Sequence, residues 1–190
     1  MIELAALLID LDGTLIDTAE ANFAAYSAAL AEVGVEVDRE TFDRLSAGKH
    51  WRQFLPGMLA GVAADPAAVA SRKRAIYPTM TSRTRVSPPV LALARMARAT
   101  RKLALVTAAS RSSVSAVLAA HALESLFDVV VTGDDVAEAK PAPDAYLLAA
   151  ERLGIPPSAC LAVEDSDIGS ESARRAGMVV LRIQTQKQVG

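Results

Sequence analysis

The chain is predicted to adopt an α/β fold in which a doubly wound parallel sheet is interrupted after its first strand by an all-helical insertion. Three observations carry that reading. A short apolar run, IELAALLID, ends in polar residues, as a parallel strand buried on both faces does. From Thr18 to about Tyr77 the apolar residues recur at helical spacing, and no strand pattern interrupts them. Beyond TSRTRVSPPV, apolar strands alternate with helices until near the end of the chain, the pattern of an open sheet covered by helices.

Taken in order, the insertion reads as the helices TAEANFAAYSAALAEVG, VDRETFDRLSAG, WRQFLPGMLAGV and DPAAVASRKRAIY. Asp38 and Asp65 stand where N-caps belong, Gly34 stands where a helix stops, and the small residues Ala47 and Gly48 mark a turn. The alternation then runs helix LALARMARA, strand KLALVT, helix RSSVSAVLAAHA, strand DVVVT, helix PDAYLLAAERLG, strand ACLAVE, helix DIGSESARRAG and strand MVVLRI. The expected organisation is one Rossmann-like core, residues 1–16 and 82–190, with a helical domain over 17–81 set into it. QTQKQVG reads as a loose tail.

A length of 190 residues and a hydrophobic content of 52% are ample for one packed core with an insertion. The formal net charge of −2 gives no reason to expect nucleic acid or an anionic membrane as partner. Charge or glycine breaks the apolar runs well short of a membrane span. The start of the chain lacks the pattern of a signal peptide, so a cytoplasmic location is expected. The single Cys160 excludes an internal disulfide and a cysteine-cluster zinc site, and its place in ACLAVED fits a core strand.

In such sheets ligands bind beyond the carboxyl ends of the strands, near the topological switch point. The polar residues delivered there are Asp10 and Asp12 after the first strand, Thr107 after KLALV, and Glu164 and Asp165 at the end of ACLAVE. Lys140 lies in the loop after DVVVT. Residues i and i+2 of a strand share a face, so Asp10 and Asp12 should meet one pocket and repel each other unless a proton or a cation intervenes. Magnesium is a hard cation that accepts a few carboxylates, a carbonyl, water and substrate phosphate, so this rim suits phosphoryl chemistry.

DLDGT, the Thr of LVTAAS, the Lys of AKPAPDAY and the acidic pair of AVEDSDIG, in that order, resemble the motifs of the haloacid dehalogenase superfamily. The helical insertion after DLDGT resembles the cap of its phosphoglycolate phosphatase and β-phosphoglucomutase branch, so the resemblance covers nearly the whole chain. It implies a Mg2+-dependent phosphatase of a small phosphorylated metabolite. Asp10 would be the nucleophile that forms an aspartyl-phosphate, and Asp12 the general acid and base. Gly13, Thr107, Ala108 and Lys140 would hold the phosphate, with Lys140 also neutralising the nucleophile. Asp10, Asp165, Glu164 and the backbone carbonyl of Asp12 would hold the metal. A phosphomutase shares this cap and acid pair, and a noncatalytic phosphometabolite-binding or regulatory module is the alternative of another class.

Substrate selection is expected from the cap, where Lys49, His50 and Arg52 cluster around Trp51. On a helix of this spacing Trp51 and Phe54 can equally serve the core while Lys49 and Arg52 face solvent. Arg111, just past the Thr107 loop, is a further candidate for the phosphate rim, and His121, far from any motif, reads as structural. Relatives of this family continue past the strand resembling MVVLRI. An uncovered sheet edge there is therefore expected to mark a shortened core, a truncated chain or a surface for dimerisation, in a protein expected as a monomer or homodimer.

Overall fold

The computed structural model describes residues 4–46 and 49–184. Strand β1 (Ala6–Ile9) is buried along its whole length because it lies at the centre of a five-stranded parallel sheet. It pairs on one side with β4 (Lys102–Val106) and on the other with β6 (Cys160–Glu164), with Ala6 opposite both Lys102 and Cys160. Adding β5 (Val129–Val131) outside β4 and β7 (Val179–Arg182) outside β6 gives the order β5-β4-β1-β6-β7. The chain therefore reverses direction across the sheet at β1, and the crevice falls beyond Ile9.

Strand alternation sorts the core into two layers. Leu7, Ile9, Leu103 and Leu105 pack against α5 (Pro88–Ala97) and α6 (Arg111–Ala120), while Leu8, Ala104 and Val106 pack against α7 (Asp144–Leu153) and α8 (Asp167–Arg175). Cys160 belongs to the second layer, where burial pushes its thiol up to about 11, as befits a core residue and not a nucleophile. Helix α5 begins earlier than its apolar pattern, because the fixed φ of Pro88 suits a first helical turn. At the sheet edge, β7 exposes Val179 and Leu181.

The insertion forms α1 (Ala19–Ala31), α2 (Arg39–Ser46), α3 (Trp51–Met58) and α4 (Pro66–Ile76), followed by a 3-10 helix over Tyr77–Arg83. Its own cluster of Leu30, Phe42, Phe54, Leu55 and Val69 holds these helices together, with edge-on contact of Tyr26 and Phe54 at 5.2 Å. Asp65 caps α4 by accepting the Ala67 amide, Asp38 accepts the Thr41 amide just inside α2, and Gly34 turns the chain at φ 77. The turn expected at Ala47 and Gly48, and the tail beyond Gln184, lie outside the described residues.

One element has no counterpart in the sequence pattern. The chain leaves the core through β2 (Ile16–Asp17) and returns through β3 (Arg85–Val86), which pair antiparallel, Ile16 opposite Val86. Strands of two residues are too short to display a period. The return segment is pinned to the core at Thr84. Its hydroxyl donates to the Thr81 carbonyl at 2.6 Å, so the His121 Nε2, 2.7 Å away, donates to it. Among the described residues no helix is long and apolar enough to cross a membrane.

Candidate active site

Beyond Ile9 the chain is drawn tight. The Asp10 amide donates to the Val163 carbonyl at 3.0 Å, and the Gly13 amide donates to the Ile16 carbonyl at 2.8 Å. Gly13 takes φ 83, and a Cβ there would stand 2.3 Å from Asp165 Oδ2. Glycine thus serves twice at this position, permitting the turn and leaving room for a carboxylate.

Asp10 and Asp12 occupy different chemical environments. Asp10 Oδ1 accepts Lys140 Nζ at 2.7 Å, and the same ammonium reaches Glu164 Oε1 at 2.7 Å and the Val106 carbonyl at 3.1 Å. Asp12 instead meets neutral donors. Its Oδ1 accepts the Thr18 hydroxyl and Asn22 Nδ2, and its Oδ2 accepts the Thr107 hydroxyl at 3.2 Å. Ser110 caps α6, while Thr107 Oγ1 accepts the Ala109 amide and keeps its proton for an acceptor in the crevice.

Burial governs the electrostatics. It pushes the Asp10 carboxyl well above the usual carboxylate range despite Lys140, with the charges of Glu164 and Asp12 adding to the effect. Burial acts against the Lys140 ammonium as well, but the carboxylates of Asp10 and Glu164 outweigh it, and Lys140 is held well above its ordinary value. Asp165 is raised by burial and by Glu164, opposed by the Thr14 hydroxyl, which donates to its Oδ1 at 3.2 Å.

Glu164 lies beneath the rim. It is fully buried, and its carboxylate accepts Lys140 and Tyr146 on Oε1 and the Ser166 hydroxyl on Oε2 at 3.2 Å. Gly169 is its wall, since a Cβ there would stand 2.1 Å from the carboxylate. Asp10, Glu164 and Asp165 each bring a ligand oxygen within 4.8 Å of the others, a hard all-oxygen set fit to hold a divalent cation.

A cleft of about 890 Å³ separates this rim from the helical insertion. Asp10, Asp12, Gly13, Thr107, Ala108, Lys140 and Asp165 all line it, so the rim residues read from the sequence meet in one place, with Glu164 behind them. Lys49, His50 and Arg52 line the opposite wall. His50 is partly committed to structure. It caps α3, its Nδ1 accepting the Arg52 amide, and burial together with Arg52 lowers its pKa while Asp134 opposes that shift. Arg52 stacks on Trp51 at 4.7 Å, and Phe54 is core. Arg111 does not reach the rim of Asp10, Thr107 and Lys140. Its guanidinium turns to Asp135 at 2.6 Å, a carboxylate that also receives Arg152 and both the amide and hydroxyl of Thr132.

Sequence reasoning missed Lys73. It is buried on α4, facing the cleft with its ammonium 4.3 Å from the Tyr77 ring centroid and 5.0 Å from that of Tyr26. Among the described residues it forms no ion pair, and burial, with Arg74 adding, pulls its pKa down to about 8 although Asp12 opposes the shift. The available signal was positional: Val69, Ala70 and Lys73 share one buried helical face.

A family model described as haloacid dehalogenase-like hydrolase matches residues 7–183, and the chain belongs to that family of hydrolases. CbbY from Rhodobacter capsulatus is 36% identical over 193 residues, covering 94% of this chain and 85% of the relative. The fructose-1-phosphate phosphatase YqaB of Escherichia coli K12 is 33% identical over 175 residues, covering 92% and 93%. The crystal structure of a CbbY mutant from Rhodobacter sphaeroides in complex with xylulose-(1,5)bisphosphate aligns with a TM-score of 0.84 at 30% identity, covering 100% of this chain and 90% of that one.

Proposed function

We propose that this hydrolase is a phosphatase of a phosphorylated sugar, working through an aspartyl-phosphate on Asp10. The observation that carries the reading is the unequal pairing of the two aspartates, one on an ammonium and one on neutral donors. Lys140 offsets the negative charge of Asp10, so that an anionic phosphate can approach. An Asp10 oxygen attacks phosphorus and the bond to the sugar oxygen breaks, with Asp12 giving that oxygen a proton. Asp12 then takes a proton from the water that attacks the phosphoryl group, which frees phosphate and restores Asp10. Thr107 donates to a phosphoryl oxygen, and the amides around Gly13 and Ala108 border the same anion. Asp10, Asp165, Glu164 and the Asp12 carbonyl would hold Mg2+, which when bound supplies positive charge beside the phosphate.

Residues 17–81 serve in this reading as a cap hinged at the β2–β3 ribbon, and its closure over the bound sugar phosphate shields the first transfer to Asp10 from bulk water, while its opening admits the water that discharges the phosphoenzyme. Lys49, Arg52, Lys73 and Arg74 line its side of the cleft and suit the far end of an anionic sugar. The CbbY relative holds a sugar with two phosphates, and a substrate of that class would meet Lys140 at one end and the cap cations at the other. Phosphorylated sugars are retained inside cells, which favours a cytoplasmic enzyme.

The test is phosphate release from a panel of sugar mono- and bisphosphates, with Mg2+ or with EDTA, comparing the parent with Asp10→Asn. Release that needs Mg2+ and is lost in the variant is expected. Isomerised sugar phosphate without net release would replace the phosphatase with a mutase, and no turnover of any kind would leave a binding module.

A further inference from the structure

Tyr146 is a buried hydroxyl for which the chemistry above has no use. Its ring is fully buried in the layer beneath the sheet, a place that phenylalanine would fill equally well. The hydroxyl nonetheless has a specific partner, donating to Glu164 Oε1 at 2.6 Å. That same oxygen accepts Lys140 Nζ at 2.7 Å, and Lys140 in turn meets Asp10 Oδ1 at 2.7 Å. Ser166 engages the other Glu164 oxygen, and Gly169 closes off the space behind the carboxylate. Two donors on Oε1 anchor that oxygen, the Ser166 hydroxyl on Oε2 sets the carboxylate plane, and together they fix where the ammonium sits.

We infer that Tyr146 is a positioning residue which, through Glu164, sets the place at which Lys140 meets the nucleophile Asp10. Its ring also faces the ammonium, with the centroid 5.0 Å from Nζ. Without the hydroxyl, Glu164 can swing toward Ser166 and draw Lys140 from Asp10, leaving binding intact while the approach of the phosphate to Asp10 is misaligned. The inference rests on the reading of Asp10 as nucleophile.

Tyr146→Phe keeps the ring and removes only the hydroxyl. The expected result is a fall in kcat of about tenfold with KM changed by less than about twofold. Because Tyr146 acts through Glu164, adding Tyr146→Phe to Glu164→Gln should cost nothing further, whereas a packing defect would add in full. A second readout needs no substrate. In metal-free protein, amine labelling of Lys140, followed by mass spectrometry with exposed Lys102 as reference, should rise about threefold or more in Tyr146→Phe. Faster labelling in a chain that releases no phosphate would sink the phosphatase reading and keep the positioning. Unchanged kcat with unchanged labelling, or losses additive with Glu164→Gln, would overturn the positioning role.

Discussion

The two walls of the cleft are built on opposite principles. On the core side the charged groups have fixed hydrogen-bond partners: Lys140 lies between Asp10 and Glu164, Glu164 has donors on both oxygens, and Asp12 and Asp165 accept hydroxyl groups. On the side of the helical insertion the buried ammonium of Lys73 lies against two tyrosine rings and, among the described residues, forms no ion pair, and Arg52 lies on an indole. A preorganised wall stabilises charge that develops during reaction without rearranging, which is where electrostatic catalysis is strongest. In the proposed function, cations that stand on aromatic faces would receive an anion from outside, and the cost of burying them would be offset when the ligand arrives.

The contrast should be broken most severely at Asp10, the nucleophile of the proposed reaction. Asp10→Asn should lower kcat by a factor on the order of 10³ or more in steady-state assays, since an amide cannot carry the phosphoryl group. Lys140→Ala should lose a comparable factor and also destabilise the fold by roughly 3 kcal/mol or more in denaturant melts, because two buried carboxylates lose their cation. Lys49→Ala and Arg52→Ala, by contrast, should leave stability within about 0.5 kcal/mol and act mainly on KM.

Lys73→Met sharpens the comparison because stability and function should move in opposite directions. Its pKa is depressed to about 8, so between pH 8 and the ordinary lysine value of 10.5 the unfolded chain binds the extra proton. Burial of Lys73 therefore destabilises the parent below pH 8, by roughly 3 kcal/mol, and this cost fades as the pH rises. Lys73→Met should melt higher at pH 7 and lose that rise with pH, while kcat/KM for a sugar bisphosphate falls about tenfold or more. A variant that melts lower at pH 7 with unchanged kcat/KM would mean that Lys73 is an ordinary packing residue.

Gly169→Ala is expected to cost about 1–3 kcal/mol, because the new methyl group must displace the Glu164 carboxylate. The smallest effect belongs to Arg111→Ala. Burial alone would raise the Asp135 carboxyl, but Thr132, Arg152 and Arg111 bring it down to about 2. The stability this contributes is present above about pH 4 and is lost as the pH falls through 2. Arg111→Ala should weaken that stability by at most about 1 kcal/mol at neutral pH, with the difference vanishing in strong acid, and leave KM unchanged, since Arg111 faces Asp135 and not the rim.

The parts of this molecule that could be read from the sequence are those written in short range. Alternation marked the sheet, helical spacing marked the insertion, and strand ends placed Asp10, Asp12, Thr107 and Asp165 at one rim, with Lys140 in the loop after DVVVT. Features decided by packing between distant segments were hidden. The depth of Glu164 depends on Tyr146, Ser166 and the absence of a side chain at Gly169, and the β2–β3 ribbon joins residues from opposite ends of the insertion. Arg111 looked suited to the rim because its loop is, but the nearer carboxylate of Asp135 claims it. A lysine between two tyrosine rings leaves only a faint trace in a helical pattern that is otherwise apolar.

The central claim is that Asp10 carries the phosphoryl group. The most direct measurement quenches turning-over enzyme in acid, reduces with borohydride and maps the product by peptide mass spectrometry, since an aspartyl-phosphate is reduced to homoserine while a free carboxylate is untouched. Homoserine at position 10, formed only when sugar phosphate and Mg2+ are both present, is the predicted result. Phosphate release with an unmodified Asp10, or reduction at another residue, would contradict it.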